Sequence, residues 1–309
     1  MRLTAQNKAR ILRAVKANLK LKQSSDCNYT HNRHSMWLQL HPSIYSRMMK
    51  GDVQKLISDE EWIRIALKLH VNLHGEDWLT AETMTYKFIT NQVLACMKFA
   101  IGGMFCDDSS IGKTYAAERM SIEYPNVALV DCSNHKTWPM LLRAIAREFG
   151  FDDKGKISEV KQRLISNLYS LEHAVLILDE FGDLGDGAIL ELKGLWNATE
   201  GMLGWYAMGA NGFRAKLRRK IGWQKVGYEE WFNRLGNRVH TLTGSGDLQS
   251  MKLPETQIEL MKRKQIEDIL RAQLPDLKEE ELAEMVGNCD GNARRIRTEI
   301  IKRELSRKQ

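Results

Sequence analysis

The tripeptide Gly112-Lys113-Thr114 has the residue types and order in which phosphate-binding loops end. It follows an apolar run over 99–105 and precedes a helix-compatible segment over 115–120, so it has the strand–loop–helix context that the motif requires. Backbone N–H groups at a helix N-terminus bind phosphates, the Lys113 ammonium would reach the outer phosphates, and the Thr114 hydroxyl would hold Mg²⁺. We therefore predict an ATP and Mg²⁺ site whose loop comprises Asp107, Asp108, Ser109, Ser110, Ile111, Gly112, Lys113, Thr114 and Tyr115.

A second motif lies 65 residues after Thr114, where the apolar run 174–178 ends in Asp179-Glu180. A strand buried on both faces would deliver Asp179 to the Mg²⁺ shell at its C-terminal end. Glu180 would then polarise the water that attacks the γ-phosphate. The alternative, that the two carboxylates only begin a loop, is disfavoured by the phosphate loop upstream.

A third polar residue, Asn211, follows the apolar run 203–209. Parallel strands end at one edge of a sheet, so Asn211 would lie beside the first two motifs and orient the attacking water. Its alternative role is that of a turn residue preceding Gly212.

Strand-like runs that alternate with helix-compatible segments position these residues. Strands over 99–105, 127–131, 174–180 and 203–209 predict an α/β fold with a parallel sheet covered by helices on both faces. From Pro254 onward the pattern is helical only, which predicts a lid. The expected domains are an N-terminal domain over 1–75, a nucleotide-binding core over 76–250 and the lid over 251–309.

The basic excess of the chain is concentrated at its N-terminus. Residues 1–75 contain 13 Lys/Arg and 5 Asp/Glu, whereas the remainder contains 33 and 34. Short helices over 35–40, 44–50 and 62–69, separated by tight turns, form a helix-turn-helix pattern, and a basic domain of this kind favours nucleic acid. Arg47 and Lys50 would contact DNA, together with Ser43, Tyr45 and Ser46. The alternative is a helical bundle that binds only protein.

The three motifs together resemble those of AAA+ ATPases. By that resemblance the fold is a P-loop AAA+ core with a parallel sheet and a small helical lid, preceded by an all-α helix-turn-helix domain. The segment 231–239 resembles the arginine-finger segment, which implies that Arg234, or else Arg238, contacts the γ-phosphate bound by a neighbouring subunit. The segment 291–295 resembles the lid's sensor-2 motif, which implies a phosphate contact by Arg294, or else Arg295.

Within AAA+ proteins, the chain resembles the target-DNA-binding ATPases of transposition, the group that contains the B protein of phage Mu. The resemblance implies a homo-oligomer, a helical filament or ring with ATP at subunit interfaces, that binds double-stranded DNA and delivers it to a transposase. By the same resemblance, the segment after the second strand faces the DNA, and Lys136 and Thr137 would contact the DNA backbone. The basic run Arg214, Lys216, Arg218, Arg219 and Lys220 is a second candidate, with a solvated helix face as its alternative.

Two loop residues depart from the family pattern, because Asp107 and Ser110 stand where glycines are usual. Glycine adopts positive φ and lets a phosphate approach the backbone closely. Asp107 adds a Cβ and a negative charge near the polyphosphate, although Asp tolerates left-handed geometry better than most residues. We expect ATP to bind with weakened affinity or to turn over slowly.

Five scattered cysteines lack disulfide or metal spacing, and the first 22 residues lack the apolar core of a signal peptide, which predicts a reducing cytoplasm. The resemblance to transposition ATPases implies that this is the cytoplasm of a bacterial host cell. Three alternatives stay open. The chain could be a helicase-loader type of AAA+ ATPase, or a DNA-binding regulator switched by nucleotide without hydrolysis. Residues 1–75 could instead be a protein-interaction module, with all DNA contact made by the core.

Overall fold

The computed structural model describes residues 3–75, 77–243 and 254–306. The N-terminal part is all-α. The helix predicted over 35–40 lies earlier in the chain, because the Thr30 hydroxyl accepts from the Arg33 amide and begins it at His31. The next helix begins at Pro42, two residues before the predicted start at 44, since proline is well suited to a first turn. The helices are α1 (Ala5–Ser25), α2 (His31–Trp37), α3 (Pro42–Met49) and α4 (Asp59–Lys68).

These four helices enclose their own apolar core. Trp62, Ile65 and Met48 are fully buried in it, and Trp37 is 2% exposed. Ser58 begins α4 with a capping box, in which Glu61 accepts from the Ser58 amide. Helices this short are stabilised mainly by burial of their apolar faces, so the cluster folds around these side chains.

The central part alternates strands and helices around a four-stranded parallel sheet with the order β1-β4-β3-β2. The strand predicted over 99–105 starts late, because the preceding helix continues to Phe99 and ends at Ala100 with a left-handed φ of 49°. The elements are α5 (Met84–Phe99), β1 (Gly102–Cys106), α6 (Lys113–Glu123), β2 (Val127–Asp131), α7 (Trp138–Glu148), α8 (Ile157–Tyr169), β3 (Ala174–Asp179), α9 (Asp186–Ala198), β4 (Leu203–Gly209), α10 (Asn211–Gly222) and α11 (Tyr228–Arg234).

Helices cover both faces of the sheet, as the sequence predicts. One face packs against α5 and α6 through residues such as Val93 and Ala116, and the other packs against α7 to α11 through residues such as Leu141 and Leu192. Beyond α11 the chain returns to the sheet edge, where His240 forms a parallel bridge with Phe105 of β1. This edge contact was not predicted, because a single bridging residue produces no apolar pattern.

The C-terminal part contains α12 (Glu255–Gln273), α13 (Glu279–Cys289) and α14 (Ile296–Ser306), which share a small apolar core. The predicted domain boundaries at 75/76 and 250/251 involve residue 76 and segment 244–253, which lie outside the described residues. Over the ranges that the structure describes, no helix has the length and apolarity needed to cross a bilayer.

The N-terminal helices dock on the core through basic side chains that are buried. Lys22 Nζ of α1 donates to the Ser121 and Tyr124 carbonyls at 2.8 and 3.2 Å, and lies 4.0 Å from the centre of the Trp37 ring. Arg33 Nε donates to the Phe149 carbonyl at 2.9 Å. Burial lowers the pKa of Lys22 well below its ordinary value. Part of the N-terminal basic excess therefore serves this internal contact.

Candidate nucleotide site

The C-terminal ends of β1, β3 and β4 bring the three motifs to one edge of the sheet. The loop 107–112 follows β1, Asp179 ends β3, and Asn211 begins α10 directly after β4. This convergence follows from the parallel order of the strands, because all their carboxyl ends point the same way.

The loop has the backbone geometry that phosphate binding needs. Gly112 has a φ of 93° with open space where a Cβ would stand, and Ser110 adopts a left-handed φ of 66° without being glycine. No side chain in the described ranges caps the first turn of α6, which leaves its amides for an anion. Lys113 Nζ donates to the Asp107 and Asp108 carbonyls at 3.0 and 2.6 Å. Burial lowers the pKa of Lys113, against the attraction of the nearby carboxylates.

Asp107 has a structural role that the sequence does not predict. Its carboxylate is fully buried and accepts from the Leu242 and Thr243 amides at 2.5 and 3.0 Å, and from the hydroxyls of Thr241 and Thr243. Asp107 thereby joins the start of the loop to the segment that follows the bridge at His240. These partners lie more than 130 residues away in sequence, so no local signal identifies them.

The predicted Mg²⁺ ligands lie in contact. Thr114 Oγ1 donates to Asp179 Oδ2 at 2.7 Å, and the other Asp179 oxygen accepts from the Glu180 amide at 3.0 Å. Asp179 is 4% exposed, and burial raises its pKa, while the hydrogen bond from Thr114 opposes that rise. Glu180 is exposed and has a left-handed φ of 47°, a strained geometry that clusters at functional sites. Burial raises the pKa of Glu180, and the negative charge of Asp179 raises it further.

The lid closes over the loop and forms a cleft of about 420 Å³ that Ser109 and Asn292 also line. Asp108 accepts from Asn211 Nδ2 at 2.8 Å and pairs with Lys262 Nζ of α12 at 2.7 Å. Lys262 was missed in the sequence, because one lysine among many in a charged helix carries no signal.

The other site residues predicted in the loop and the lid make the following contacts. The Ala293 amide donates to the Ser110 carbonyl at 3.2 Å, which brings the neighbouring Arg294 beside the loop with an exposed side chain. Arg295 instead pairs with Asp290 at 3.6 Å. Ile111 is 5% exposed and packs in the core on the α5–α6 side. The Tyr115 hydroxyl bonds Thr80 at 2.8 Å.

The structure does not bring the predicted arginine finger to this cleft. The Arg234 carbonyl lies against Gly102, at the start of β1, whereas the phosphate loop follows the end of that strand. The Arg234 guanidinium lies 5.9 Å from the Trp196 ring centre and donates to the Lys193 carbonyl at 3.4 Å. Arg238 is exposed. Arg234 is therefore not positioned to contact a nucleotide bound by its own chain.

The predicted DNA contacts separate into two groups. Lys136 and Thr137 are exposed, in a turn that Asp131 organises by accepting from Ser133 and Asn134. Arg218 is also exposed and has contacts within the chain.

The predicted DNA contacts of Arg214 and Lys216, by contrast, are contradicted by the structure. Arg214 is 5% exposed and donates to the Cys106 carbonyl at 2.6 Å, so it is not placed for a phosphate contact. Lys216 donates to the Gly182 and Leu184 carbonyls at 2.5 and 3.0 Å, so its ammonium supports the turn that follows Glu180.

Helix α3, the predicted recognition helix because it carries the predicted DNA contacts, is only partly accessible to DNA. Tyr45 is 2% exposed and its hydroxyl bonds His34 Nδ1 at 2.7 Å, so the expectation that it faces DNA is wrong. Arg47 is exposed but pairs with Asp52 at 2.6 Å, and Lys50 is exposed. Tyr45 is buried because its ring packs in the core of the N-terminal helices.

The arrangement fits a Mg²⁺–nucleotide. The uncapped start of α6 and the buried Lys113 suit an anion, and the paired oxygens of Thr114 and Asp179 suit a hard cation. A water beside Glu180 would have a carboxylate within reach of its proton. The chemistry that this donor set supports is phosphoryl transfer to water.

Comparison with known proteins finds one matching family and distant similarities to solved structures. Residues 103–217 match the family described as the AAA domain. The ORC2 protein of Aeropyrum pernix, solved in ADPNP and ADP complexes, has 18% identity and a TM-score of 0.46, over 69% of this chain and 58% of that one. NtrX of Brucella abortus, solved with ATP, has 11% identity and a TM-score of 0.38, over 82% of this chain and 57% of that one. No curated protein matches the sequence.

This chain therefore spans less than two thirds of the length of either solved structure. The AAA match contains the phosphate loop, Asp179-Glu180 and Asn211, and coincides with the parallel sheet. The fold class is thus the one predicted: α/β with a P-loop AAA+ core, a small helical lid and an all-α N-terminal part.

Proposed function

We propose that this protein is an ATP-hydrolysing AAA+ protein that assembles on double-stranded DNA without sequence preference and delivers that DNA to a transposase, with hydrolysis driving disassembly. The observation that carries the ATPase part is the contact of Thr114 with Asp179 at 2.7 Å, with Glu180 next in the chain and Lys113 at the start of α6. The DNA-delivery part is supported by the sequence resemblance to transposition ATPases.

The residues divide the work of hydrolysis. Lys113 and the first amides of α6 would bind the phosphates, and Thr114 and Asp179 would hold Mg²⁺. Mg²⁺–ATP, when bound, supplies the reactive γ-phosphoryl group and its charge neutralisation. Glu180 would accept the proton of the attacking water and so act as the general base.

The position of Arg234 supports assembly through subunit interfaces. Arg234 lies at the start of β1, away from the phosphate loop of its own chain, and by the resemblance it, or else Arg238, would act on a neighbouring subunit's nucleotide. Hydrolysis would then require an oligomer, and ATP-bound oligomers would persist on DNA until turnover. Lys136, Thr137 and Arg218 are the core residues proposed to contact the DNA backbone.

Substitution at the phosphate loop and at Glu180 tests the site. We expect Lys113→Ala to weaken ATP binding roughly 10- to 100-fold, because charge-assisted hydrogen bonds to the phosphates are lost. Glu180→Gln should keep ATP and DNA binding but slow hydrolysis by about 10²-fold or more. Calorimetric titration with ATP and a phosphate-release assay measure the two effects.

An unchanged Kd for ATP in Lys113→Ala would contradict the assignment of this loop as the ATP site. Full hydrolysis in Glu180→Gln would remove this residue's role, whereas absence of hydrolysis in the wild type would favour the nucleotide switch. Electron microscopy with DNA and a slowly hydrolysed ATP analogue should show nucleotide-dependent oligomers. Pull-down with a transposase and, separately, with a replicative helicase distinguishes DNA delivery from helicase loading.

A further inference from the structure

Most basic residues of the N-terminal part already have partners inside the protein. Lys22, Arg33 and Lys68 face the core domain, and Arg64 donates to the Leu38 and Gln39 carbonyls. Others are paired with acids: Lys8 with Asp59, Arg10 with Asp77 and Arg47 with Asp52. The net charge of this region therefore overstates the positive surface that it offers to a partner.

One group of cations is different. Arg13, Lys16 and Lys20 of α1 are exposed, and none of them has an ion-pair partner among the residues that the structure describes. At about 100° per residue, spacings of three and seven place them within about 60° of one another on the helix. The buried residues Ile11 and Val15 lie on the opposite side.

The surroundings of these three cations strengthen the positive surface. The 21 residues of α1 include no Asp or Glu. Ala9 and Ala17, both exposed, stand beside the cations and leave room for a partner to approach closely. We define this surface, Arg13, Lys16 and Lys20 with Ala9 and Ala17, as the α1 basic face.

We propose that the α1 basic face is the surface through which the N-terminal part binds the phosphate backbone of double-stranded DNA. The proposal rests on the DNA binding proposed above, and it assigns the contact to α1 rather than to the predicted recognition helix α3. Its three cations span about 10 Å along the helix, the length of about three phosphates on one DNA strand.

A membrane surface fits α1 less well than DNA does. A helix that lies in a lipid interface must insert an apolar face, but the apolar face of α1 is already buried, with Ile11 and Val15 fully enclosed. An acidic polymer needs only the cations, and the α1 basic face offers these without competing carboxylates on the same helix.

The salt dependence of DNA binding tests this assignment. The variant Arg13→Gln/Lys16→Gln/Lys20→Gln should bind random-sequence duplex with a log K against log [salt] slope reduced in magnitude by about 2 to 3, since each phosphate contact contributes about 0.9. A matched variant, Lys154→Gln/Lys278→Gln/Arg297→Gln, removes the same net charge from exposed residues elsewhere and should keep the wild-type slope. DNA-independent ATP turnover and the melting temperature should be unchanged in both variants.

The possible results distinguish failure of this inference from failure of the proposed function. If the wild type binds no duplex DNA, the proposed function fails and this inference fails with it. If the wild type binds and the α1 variant keeps the wild-type slope, the inference alone is overturned. A slope lost equally in the matched control, or lost in Arg47→Gln/Lys50→Gln and not in the α1 variant, also overturns it.

Discussion

Helices α1 and α10 have the same charge signature and use it in opposite ways. Each contains at least five Lys or Arg residues and no acidic residue. In α10 the cations at 214 and 216 turn inward and donate to backbone carbonyls at the end of β1 and after β3. In α1 the cations at 13, 16 and 20 face solvent, and only one basic residue, Lys22, is fully buried.

The difference lies in what each helix packs against. Helix α10 follows β4, an inner strand, and covers the ends of two strands whose carbonyls need donors. Helix α1 packs on α3, α4 and α6, whereas Arg13, Lys16 and Lys20 on the side opposite its buried residues are exposed. Charge composition therefore identifies a basic helix, but the neighbouring backbone decides whether its cations are structural or available to a partner.

The largest expected effect contrasts two lysines within α1. Lys22→Met removes the donor to the Ser121 and Tyr124 carbonyls and should lower the free energy of unfolding by about 2–3 kcal/mol, because buried acceptors are left unpaired. Lys20→Met, on the exposed face, should change it by less than about 0.5 kcal/mol. Urea unfolding followed by tryptophan fluorescence measures the free energy of unfolding of both variants. Equal losses would contradict the conclusion that Lys22 is structural and Lys20 is not.

A second contrast lies within α10. Lys216→Met leaves the Gly182 and Leu184 carbonyls without their donor and lets the turn after Glu180 shift, so we expect ATP turnover to fall roughly 10- to 30-fold. Arg219→Gln, on the exposed side of the helix, should retain near wild-type turnover.

Steady-state phosphate release at saturating ATP measures this contrast. If Lys216→Met hydrolyses ATP at the wild-type rate, while its DNA affinity falls, then α10 belongs with the DNA-contacting surface and the comparison with α1 fails.

The sequence predicts the central strands well and the long-range polar contacts poorly. The strands 127–131 and 203–209 are confirmed to the residue, because buried parallel strands are continuous apolar runs bounded by polar residues. The inward direction of Arg214 and the linking role of Asp107 depend on partners more than 100 residues distant. The residue that looked like a defect of the phosphate loop is thus a structural link, and only tertiary packing reveals it.

A third contrast concerns the pH response of the inward side of α1. His34 is fully buried between the Tyr45 hydroxyl at 2.7 Å and Asn18 Oδ1 of α1 at 3.0 Å, and burial, with repulsion from Lys22, His31 and Lys68, lowers its pKa to about 3. Between about pH 6.5 and 3 the unfolded chain binds the proton that folded His34 excludes. Stability should therefore fall as pH falls through this window, by up to about 1.4 kcal/mol per pH unit.

His34→Gln should remove this component from unfolding curves measured at pH 7 and 5, whereas the exposed His74→Gln should keep it. An unchanged pH slope in His34→Gln would mean that the interior of the N-terminal helices admits charge as readily as the α1 basic face does.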